Sequence, residues 1–271
     1  MKIAFIGGGN MATALVAGLA KQLGARAQVH VVDPNMDALG KLAAQYGATT
    51  ASSIDAAVGA CDVVVLAVKP QQMREVAASL APQLARGPLV LSIAAGIRSA
   101  DLSRWLGGYG AIVRTMPNTP ALIGMGISGM VATPDVTGAQ RAAADSVMRA
   151  VGETVWLDDE ALIDPVTAVS GSGPAYVFYF LEAMQAAAVE MGLSAEQGKA
   201  LALATFAGAA QLAAQSDETL EVLRQRVTSK GGTTHAAVSS MEAAGVKGAI
   251  MAAMQAAAAR GRELGEELGA D

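Results

Sequence analysis

The chain has 271 residues, a length that predicts about two domains. Hydrophobic residues make up 52% and charged residues 16%, which allows a large core and excludes a disordered composition. The net charge is −5 and no basic run is present, so the composition favours neither nucleic acid nor a membrane surface as a partner.

The few cysteines and histidines limit metal and redox chemistry. Cys61 is the only cysteine, which excludes an internal disulfide and a thiolate cluster, and His30 and His235 are far apart in sequence. We therefore expect no metal cofactor. Met1 and Lys2 lead directly into a strand-like run without a signal-peptide pattern, and no apolar stretch is long enough to span a bilayer, so we expect a cytoplasmic protein.

The first eighteen residues carry a dinucleotide-binding fingerprint. A short apolar run predicts a buried strand, and a segment with helical apolar spacing follows it. Between them Gly7, Gly9 and Ala12 fit G-x-G-x-x-G/A, in which glycines let a pyrophosphate approach the helix N-terminus. Asp33 ends the next strand, 21 residues after Ala12, as the ribose-binding acid does. A glycine turn that binds nothing is the alternative.

Strand-like and helix-like segments alternate over residues 1–158, which predicts a parallel sheet with helices on both faces. After the first strand and helix, strands are predicted at 29–32, 61–68, 89–93, 111–115, 129–132 and 154–157, and helices at 36–46, 71–84, 99–106 and 137–151. Ligands of such sheets bind beyond the carboxyl ends of the strands.

Residues 159–271 contain no further strand candidates and predict an all-helical second domain. Its helices are predicted at 174–191, 194–215, 217–228, 233–244 and 247–268. Ser194 and Gln197 form a capping-box pattern, and Gly245 ends the fourth of these helices. Because these helices are rich in Ala and Met, we expect them to be buried against a second subunit; a self-contained bundle is the alternative.

Four further loops offer polar groups to a ligand. Lys69 ends the third strand, and Asn118 follows the fifth in a loop that two prolines restrict. A plain strand end and a plain turn are the alternatives for these two. Residues 169–174 and 229–234 each combine Gly and hydroxyl side chains before a predicted helix, whose free N–H groups suit an anion. Helix capping alone is the alternative for both.

The residue types that are missing also restrict the chemistry. No catalytic triad, nucleophile elbow or cluster of metal ligands is recognisable, and His235 is best explained as a first-turn helix residue. A dinucleotide site and a small-anion site without an acid–base pair predict simple hydride transfer. In such a reaction the cofactor supplies the chemistry and the protein positions the substrate.

At these motifs the chain resembles the Δ1-pyrroline-5-carboxylate reductase family, the last enzymes of proline biosynthesis. IGGGNM, AVKP, SIAAG, RTMPNTPALIGMG, VSGSGPAY and SKGGTTHAAV occur in the family's order and spacing over essentially the whole chain. The resemblance implies an α/β Rossmann-type N-terminal domain (1–158), an all-α substrate-binding and dimerisation domain (159–271), NADPH or NADH as cofactor, and no metal. It also implies dimers with interlocking C-terminal helices that often build a larger ring, typically a decamer.

The matching motifs assign roles to residues of this chain. Thr234 matches the threonine whose hydroxyl faces the ring nitrogen of the substrate, which makes it the candidate catalytic residue. The positions that match substrate contacts are Ser229, Gly231, Gly232, Thr233, Thr234, Ser172 and Gly173. The positions that match cofactor contacts are Ile6, Gly7, Gly8, Gly9, Asn10, Met11, Asp33, Ala67, Val68, Lys69, Pro70, Ala94, Ala95, Gly96 and Asn118.

The reaction that the resemblance implies is hydride transfer from NAD(P)H to the C=N carbon of 1-pyrroline-5-carboxylate, which gives L-proline. The amides of residues 231–234 and the Ser229 hydroxyl are expected to hold the substrate carboxylate, while Thr234 orients the ring nitrogen. A protonated imine is already an electrophile, so no strong general acid is required.

Two residues depart from the family pattern. Lys230 stands where many members have proline and adds a cation beside the expected carboxylate site. Asp33 stands where NADPH-using members often have a small polar residue. Since an acid there binds a ribose 2′-OH and repels a 2′-phosphate, we expect NADH to be at least competent.

Two other functions stay open at this point. A related imine or β-hydroxy-acid reductase would share the architecture, but the SKGGTT and SGSGP segments argue against it. A non-catalytic nucleotide-binding regulator would bind the cofactor without turnover, and fold alone does not exclude it.

Overall fold

An eight-stranded sheet organises the first part of the chain, in a computed structural model that describes residues 1–270. The strands are β1 (Lys2–Ile6), β2 (Gln28–Val32), β3 (Thr49–Ala51), β4 (Val63–Leu66), β5 (Leu89–Ser92), β6 (Ile112–Met116), β7 (Gly126–Ala132) and β8 (Gly152–Trp156). Their order across the sheet is β3-β2-β1-β4-β5-β6-β7-β8. All pairs are parallel except β6 with β7.

Helices cover both faces of this sheet. They are α1 (Asn10–Leu23), α2 (Met36–Tyr46), α3 (Ala56–Gly59), α4 (Met73–Leu80), α5 (Ser99–Trp105) and α6 (Gly138–Arg149). Short 3₁₀ turns lie at Gly24–Arg26, Pro70–Gln72, Ala81–Arg86 and Thr119–Ile123. Because successive strand residues point to opposite faces, Ile3 and Phe5 enter one apolar cluster while Ala4 and Ile6 enter another. The Rossmann-type α/β class is therefore confirmed.

The prediction of a fully parallel sheet is wrong at one place, since β7 runs antiparallel to β6. The connection is residues 117–125, and a parallel crossover needs about a dozen residues or more. Two short elements, β3 and α3, were also not predicted, because three or four residues carry too little periodicity.

The predicted helix over residues 71–84 is interrupted. It begins as the 3₁₀ turn Pro70–Gln72, continues as α4 and changes to 3₁₀ geometry after Leu80. Pro82 explains this end, because proline has no N–H to donate to a carbonyl one turn earlier.

The remaining elements are helical, as predicted. They are a 3₁₀ turn (Glu160–Leu162), α7 (Ile163–Val166), a π turn (Thr167–Gly171), α8 (Gly173–Glu190), α9 (Ala195–Ala214), α10 (Leu220–Arg226), α11 (Thr233–Ala243) and α12 (Val246–Gly269). Ser194 and Gln197 form the predicted capping box of α9. Asp217 precedes α10 instead of starting it, because the Thr219 hydroxyl accepts the Val222 N–H and caps the helix there.

The chain packs as two compact units, residues 1–172 with 256–270, and Gly173–Gln255. In the first unit the end of α12 packs beside the sheet, where Leu268 joins an apolar cluster and Arg104 donates to the Gly269 carbonyl at 2.8 Å. This packing division falls later than residue 158, and the functional domain boundary there stays a prediction. Within residues 1–270, no helix has the length and apolar character that crossing a membrane requires.

The second unit buries few of its own side chains. In α8 and α9 only Ala188, Gly198 and Ala202 are buried, although Phe180 and Phe206 pack with ring centroids 6.3 Å apart. The large apolar side chains that stay exposed include Phe178, Tyr179, Leu201, Leu212 and Met251. Such a unit lacks a core of its own, which argues against the self-contained bundle.

Candidate active site

Four predicted ligand loops lie at one edge of the sheet. β1, β4, β5 and β6 are consecutive neighbours and parallel, so the residues that follow them meet at the same carboxyl edge. These residues are the Gly7–Gly9 turn, Ala67–Pro70, Ala94–Gly96 and the segment containing Asn118. The structure thus brings together the cofactor candidates that the sequence spreads over more than a hundred positions.

Gly7 lies where two of these loops touch. Its φ is +106°, and a Cβ there would lie 2.6 Å from the carbonyl oxygen of Ala67. The Gly7 N–H donates to the Val32 carbonyl at 2.8 Å, and the Ala67 N–H donates to the Ile6 carbonyl at 2.8 Å. Only glycine fits here, because every other residue would collide with backbone and strain an unfavourable φ.

The N-terminus of α1 is open for an anion. Its N-cap is Gly9, which makes no side-chain cap bond, and no neighbouring atom lies within 4 Å of a Cβ built at Gly9. By contrast α2, α6, α9 and α10 are capped by the side chains of Asn35, Thr137, Ser194 and Thr219. The free first-turn N–H groups and helix dipole of α1 fit the pyrophosphate of a dinucleotide.

The start of α11 has the same open character in the second unit. Its N-cap is Gly232, again without a side-chain cap bond, and exposed Thr233 and Thr234 are the first two helical residues. The Gly232 N–H closes a turn onto the Ser229 carbonyl at 3.0 Å. Gly231 within that turn has a φ of +76°. No hydroxyl side chain caps α11, which argues against the alternative that this segment is only a helix cap.

Residues 169–174 are not the loop that the sequence predicts. Residues 169–171 end a π turn, Ser172 follows it as a bend whose N–H donates to the Thr167 carbonyl at 2.8 Å, and α8 begins at Gly173. The Ser170 hydroxyl donates to the Val166 carbonyl at 3.0 Å. The helix therefore starts within one residue of the predicted Pro174, and the correction concerns the segment before it, which is a π turn instead of a loop. Substrate contacts of Ser172 and Gly173 rest on the family resemblance alone.

Asn118 connects the loop after β6 to this π turn. Its side chain is buried, its Nδ2 donates to the Ser170 carbonyl at 3.2 Å, and its Oδ1 accepts the Ile127 N–H at 3.0 Å. In an α-helix the Ser170 carbonyl would accept from residue 174, but Pro174 has no N–H. Asn118 thus supplies a donor that proline removes, a role that the sequence analysis missed.

The loop Ala94–Gly96 is held from two sides. Gly96 has a φ of +76°, and a Cβ there would lie 3.0 Å from Cδ1 of Leu268, so the end of α12 covers this loop. Just after it, the Ser99 N–H donates to the Glu160 carboxylate at 2.7 Å, and Arg114 donates to the same oxygen at 2.8 Å. The sequence predicts no such pair, although an arginine inside an apolar strand indicates a buried partner.

The other candidates have simpler surroundings. Lys69 is exposed and precedes the 3₁₀ turn that Pro70 begins. Asp33 directly follows β2 and accepts backbone N–H bonds from Gly8 and Asn35. All the cofactor candidates lie in the first unit, and all the substrate candidates except Ser172 lie in Gly173–Gln255. Among residues 1–270, no three His, Cys, Asp or Glu side chains are grouped to hold a metal ion.

Comparison with known proteins places this arrangement in a family. Residues 160–264 match the family model for pyrroline-5-carboxylate reductase dimerisation, and residues 2–96 match that for NADP oxidoreductase, coenzyme F420-dependent. The chain is 48% identical to the pyrroline-5-carboxylate reductase of Pseudomonas aeruginosa over 99% of this chain and 98% of that protein. The chain belongs to the pyrroline-5-carboxylate reductase family.

Solved structures of the pyrroline-5-carboxylate reductase family have the same fold along the whole chain. The enzyme from Coxiella burnetii superposes with a TM-score of 0.92 at 39% identity and covers 97% of both chains. The Plasmodium falciparum enzyme, solved with NADP bound, superposes with a TM-score of 0.85 at 29% identity and covers 98% of both. The matched dimerisation model spans most of the helices with exposed apolar side chains, which supports a homo-oligomer.

Proposed function

We propose that this chain reduces 1-pyrroline-5-carboxylate to L-proline with NADPH or NADH as the hydride donor. The observation that carries the proposal is the 48% identity, over nearly the whole of both chains, with an enzyme that bears this activity in its name. The open helix starts at α1 and α11 add physical support, because this reaction needs one site for a pyrophosphate and one for a carboxylate.

The cofactor is assigned to the carboxyl edge of the sheet. The amides of Gly9 to Met11 bind the pyrophosphate, and Ile6, Gly7 and Gly8 shape the turn before them. Ala67 to Pro70 and Ala94 to Gly96 line the nicotinamide half, and Asn118 holds the neighbouring loop in place. When bound, the reduced nicotinamide supplies a hydride.

The substrate is assigned to the turn that begins α11. The N–H groups of Gly231, Thr233 and Thr234 and the Ser229 hydroxyl bind its carboxylate, while the Gly232 N–H holds the turn. The exposed ammonium of Lys230 adds a favourable charge. The Thr234 hydroxyl bonds the ring nitrogen and fixes the orientation of the C=N carbon. The substrate reacts as the protonated imine, and its N–H proton stays on the ring nitrogen during hydride transfer. No side chain therefore has to deliver a proton.

The proposal includes the assembly and location of the protein. We assign 1–158 to cofactor binding and 159–271 to substrate binding and dimerisation. Homodimers form through the C-terminal helices, and five dimers build a decamer, which sedimentation equilibrium can distinguish from an isolated dimer. A cytoplasmic location is consistent with a chain whose single cysteine, Cys61, cannot form an internal disulfide.

The direct test follows dinucleotide absorbance at 340 nm with and without 1-pyrroline-5-carboxylate, with proline measured in the same samples. The proposal predicts oxidation that depends on the imine and proline formed in equal amount. Dinucleotide binding without any turnover would contradict it and would favour a nucleotide-binding regulator.

A further inference from the structure

The first residue after β2, Asp33, bears on the choice between the two nicotinamide cofactors. Asp33 follows Val32 directly, and β2 pairs with β1, which leads into the Gly7–Gly9 turn. Its Oδ2 accepts the Gly8 N–H at 2.7 Å, and its Oδ1 accepts the Asn35 N–H at 2.7 Å. These bonds hold the carboxylate against the dinucleotide turn.

The sequence segments on either side of the Gly7–Gly9 turn and after Asp33 contain few cations for a 2′-phosphate. Residues 7–20 contain neither Lys nor Arg, and Lys41 is the only basic side chain that falls between Asp33 and Asp55. Lys41 lies in the second turn of α2, whose first turn carries a further acid, Asp37. Lys69 follows β4, which β1 separates from β2, so about 10 Å of sheet lies between the two strand ends.

We infer that Asp33 makes NADH the preferred hydride donor of this chain, an inference that rests on the proposed function. An ionised carboxylate has about four acceptor sites, and the Gly8 and Asn35 bonds use two of them. The ribose 2′-OH of NADH can donate to the remaining sites. The 2′-phosphate of NADPH has no proton to donate at neutral pH and places nearly two negative charges beside the carboxylate.

The size of the effect follows from simple electrostatics. Repulsion between two like unit charges about 4 Å apart in water weakens binding about fivefold, and the 2′-phosphate carries nearly two charges. We therefore expect kcat/KM for NADH to exceed that for NADPH by about tenfold or more. This preference is opposite to the cofactor found in the P. falciparum structure, which holds NADP.

The test compares both dinucleotides in the full-length protein. At a fixed ionic strength, kcat/KM is measured with saturating 1-pyrroline-5-carboxylate, and Kd is measured separately by nicotinamide fluorescence. Asp33→Asn keeps an oxygen for the Gly8 N–H but removes the charge, and Asp33→Ser removes the carboxylate. Both variants should lower the NADH:NADPH ratio about tenfold, mainly through tighter NADPH binding.

Asp37→Asn is the matched control. It removes one charge from the same helix start, but the Asp37 side chain is exposed and has no bond to the Gly7–Gly9 turn among those of the described residues. We expect its cofactor ratio to stay within about twofold of the native ratio, because an exposed charge farther away is screened by salt.

The outcomes separate the inference from the proposed function. A native protein that uses NADPH as well as NADH, or Asp33 variants with an unchanged ratio, would overturn the inference and leave the reductase activity intact. Tighter NADH than NADPH binding, lost in Asp33→Asn, would support the inference even if 1-pyrroline-5-carboxylate were not reduced. If a variant fails to fold, the NADH:NADPH ratio of the native protein is sufficient to decide the inference.

Discussion

Thr234 is the residue whose hydroxyl bonds the reacting C=N group in the proposed reaction. It is the second residue of α11 and is exposed. We predict that Thr234→Ala lowers kcat about tenfold or more, because the hydrogen bond that orients the ring nitrogen is lost. Cofactor Kd should change little, since every cofactor candidate lies on the other unit.

Thr234→Ser keeps the hydroxyl and is the control for this residue. It should retain most of the native kcat, whereas unchanged turnover in Thr234→Ala would remove Thr234 from the catalytic role. Steady-state rates with saturating imine and dinucleotide, together with fluorescence titration of the cofactor, provide both readouts.

Asn118 and Pro174 form a second pair that can be tested residue by residue. Asn118→Ala removes the donor to the Ser170 carbonyl, and Pro174→Ala restores a helical N–H that can reach that carbonyl. We predict that Asn118→Ala lowers the free energy of unfolding by about 1 kcal/mol less in the Pro174→Ala background than in the native protein. Melting midpoints of the four proteins measure this difference, about 2–4 °C. An equal loss of stability in both backgrounds would show that Asn118 does not replace the N–H that Pro174 lacks.

Among single residues, the sequence predicted the glycines well and the polar connections poorly. Gly7 and Gly9 are recognisable because their spacing is characteristic and the reason for it is local. The bonds of Asn118 to Ser170 and of Arg114 to Glu160 join residues more than forty positions apart. No local pattern encodes such contacts, because they exist only once the sheet has brought the loops together.

At the level of elements, α6 and β8 are joined by the carboxylate of Asp145. It accepts bonds from Arg149 at 2.6 Å, Thr154 at 2.6 Å and Trp156 at 3.1 Å. Burial by itself would raise the pKa of Asp145, but these three donors and the Arg149 charge outweigh it and lower the pKa below its ordinary 3.8. The charged form of Asp145 therefore stabilises the folded state.

This connection predicts a pH-dependent stability difference. Because the folded pKa of Asp145 is lowered, its contribution is complete above pH 3.8 and is lost as the pH falls through the folded value. We expect Asp145→Asn to lower the free energy of unfolding by about 1–2 kcal/mol at pH 7. This loss should become smaller below pH 3.8. Melting midpoints from pH 7 to 3 test this, with exposed Asp158→Asn as the control. A difference that persists unchanged in acid would contradict the assigned cause.

Long periodic elements were predictable, and junctions were not. The strands β4 and β5 follow from local pattern because all their residues are buried. The capping box of α9 follows from the spacing of Ser194 and Gln197. The π turn at Thr167–Gly171 was predicted as a loop because its Ser and Gly residues are typical of loops. Gly171 in this turn packs against Met116, whose Cε lies 2.6 Å from where a Cβ of Gly171 would be, a contact that no local pattern shows.

For the whole molecule, two compact units divide the predicted roles between cofactor and substrate. The second unit leaves many large apolar side chains exposed, and the matched dimerisation model covers most of them. Composition alone indicated this burial, because Ala- and Met-rich helices with few charges need an apolar partner. The number of subunits depends on the geometry between copies, which no single-chain pattern contains.

In the proposed reaction, a hydride passes from a nicotinamide to the C=N carbon of a cyclic imine. The most direct measurement uses NADH deuterated at both C4 positions of the nicotinamide, with 1-pyrroline-5-carboxylate and the native protein. The account predicts L-proline with one deuterium, located at the δ-carbon by NMR and mass spectrometry. Proline without deuterium, or with deuterium at another carbon, would contradict it.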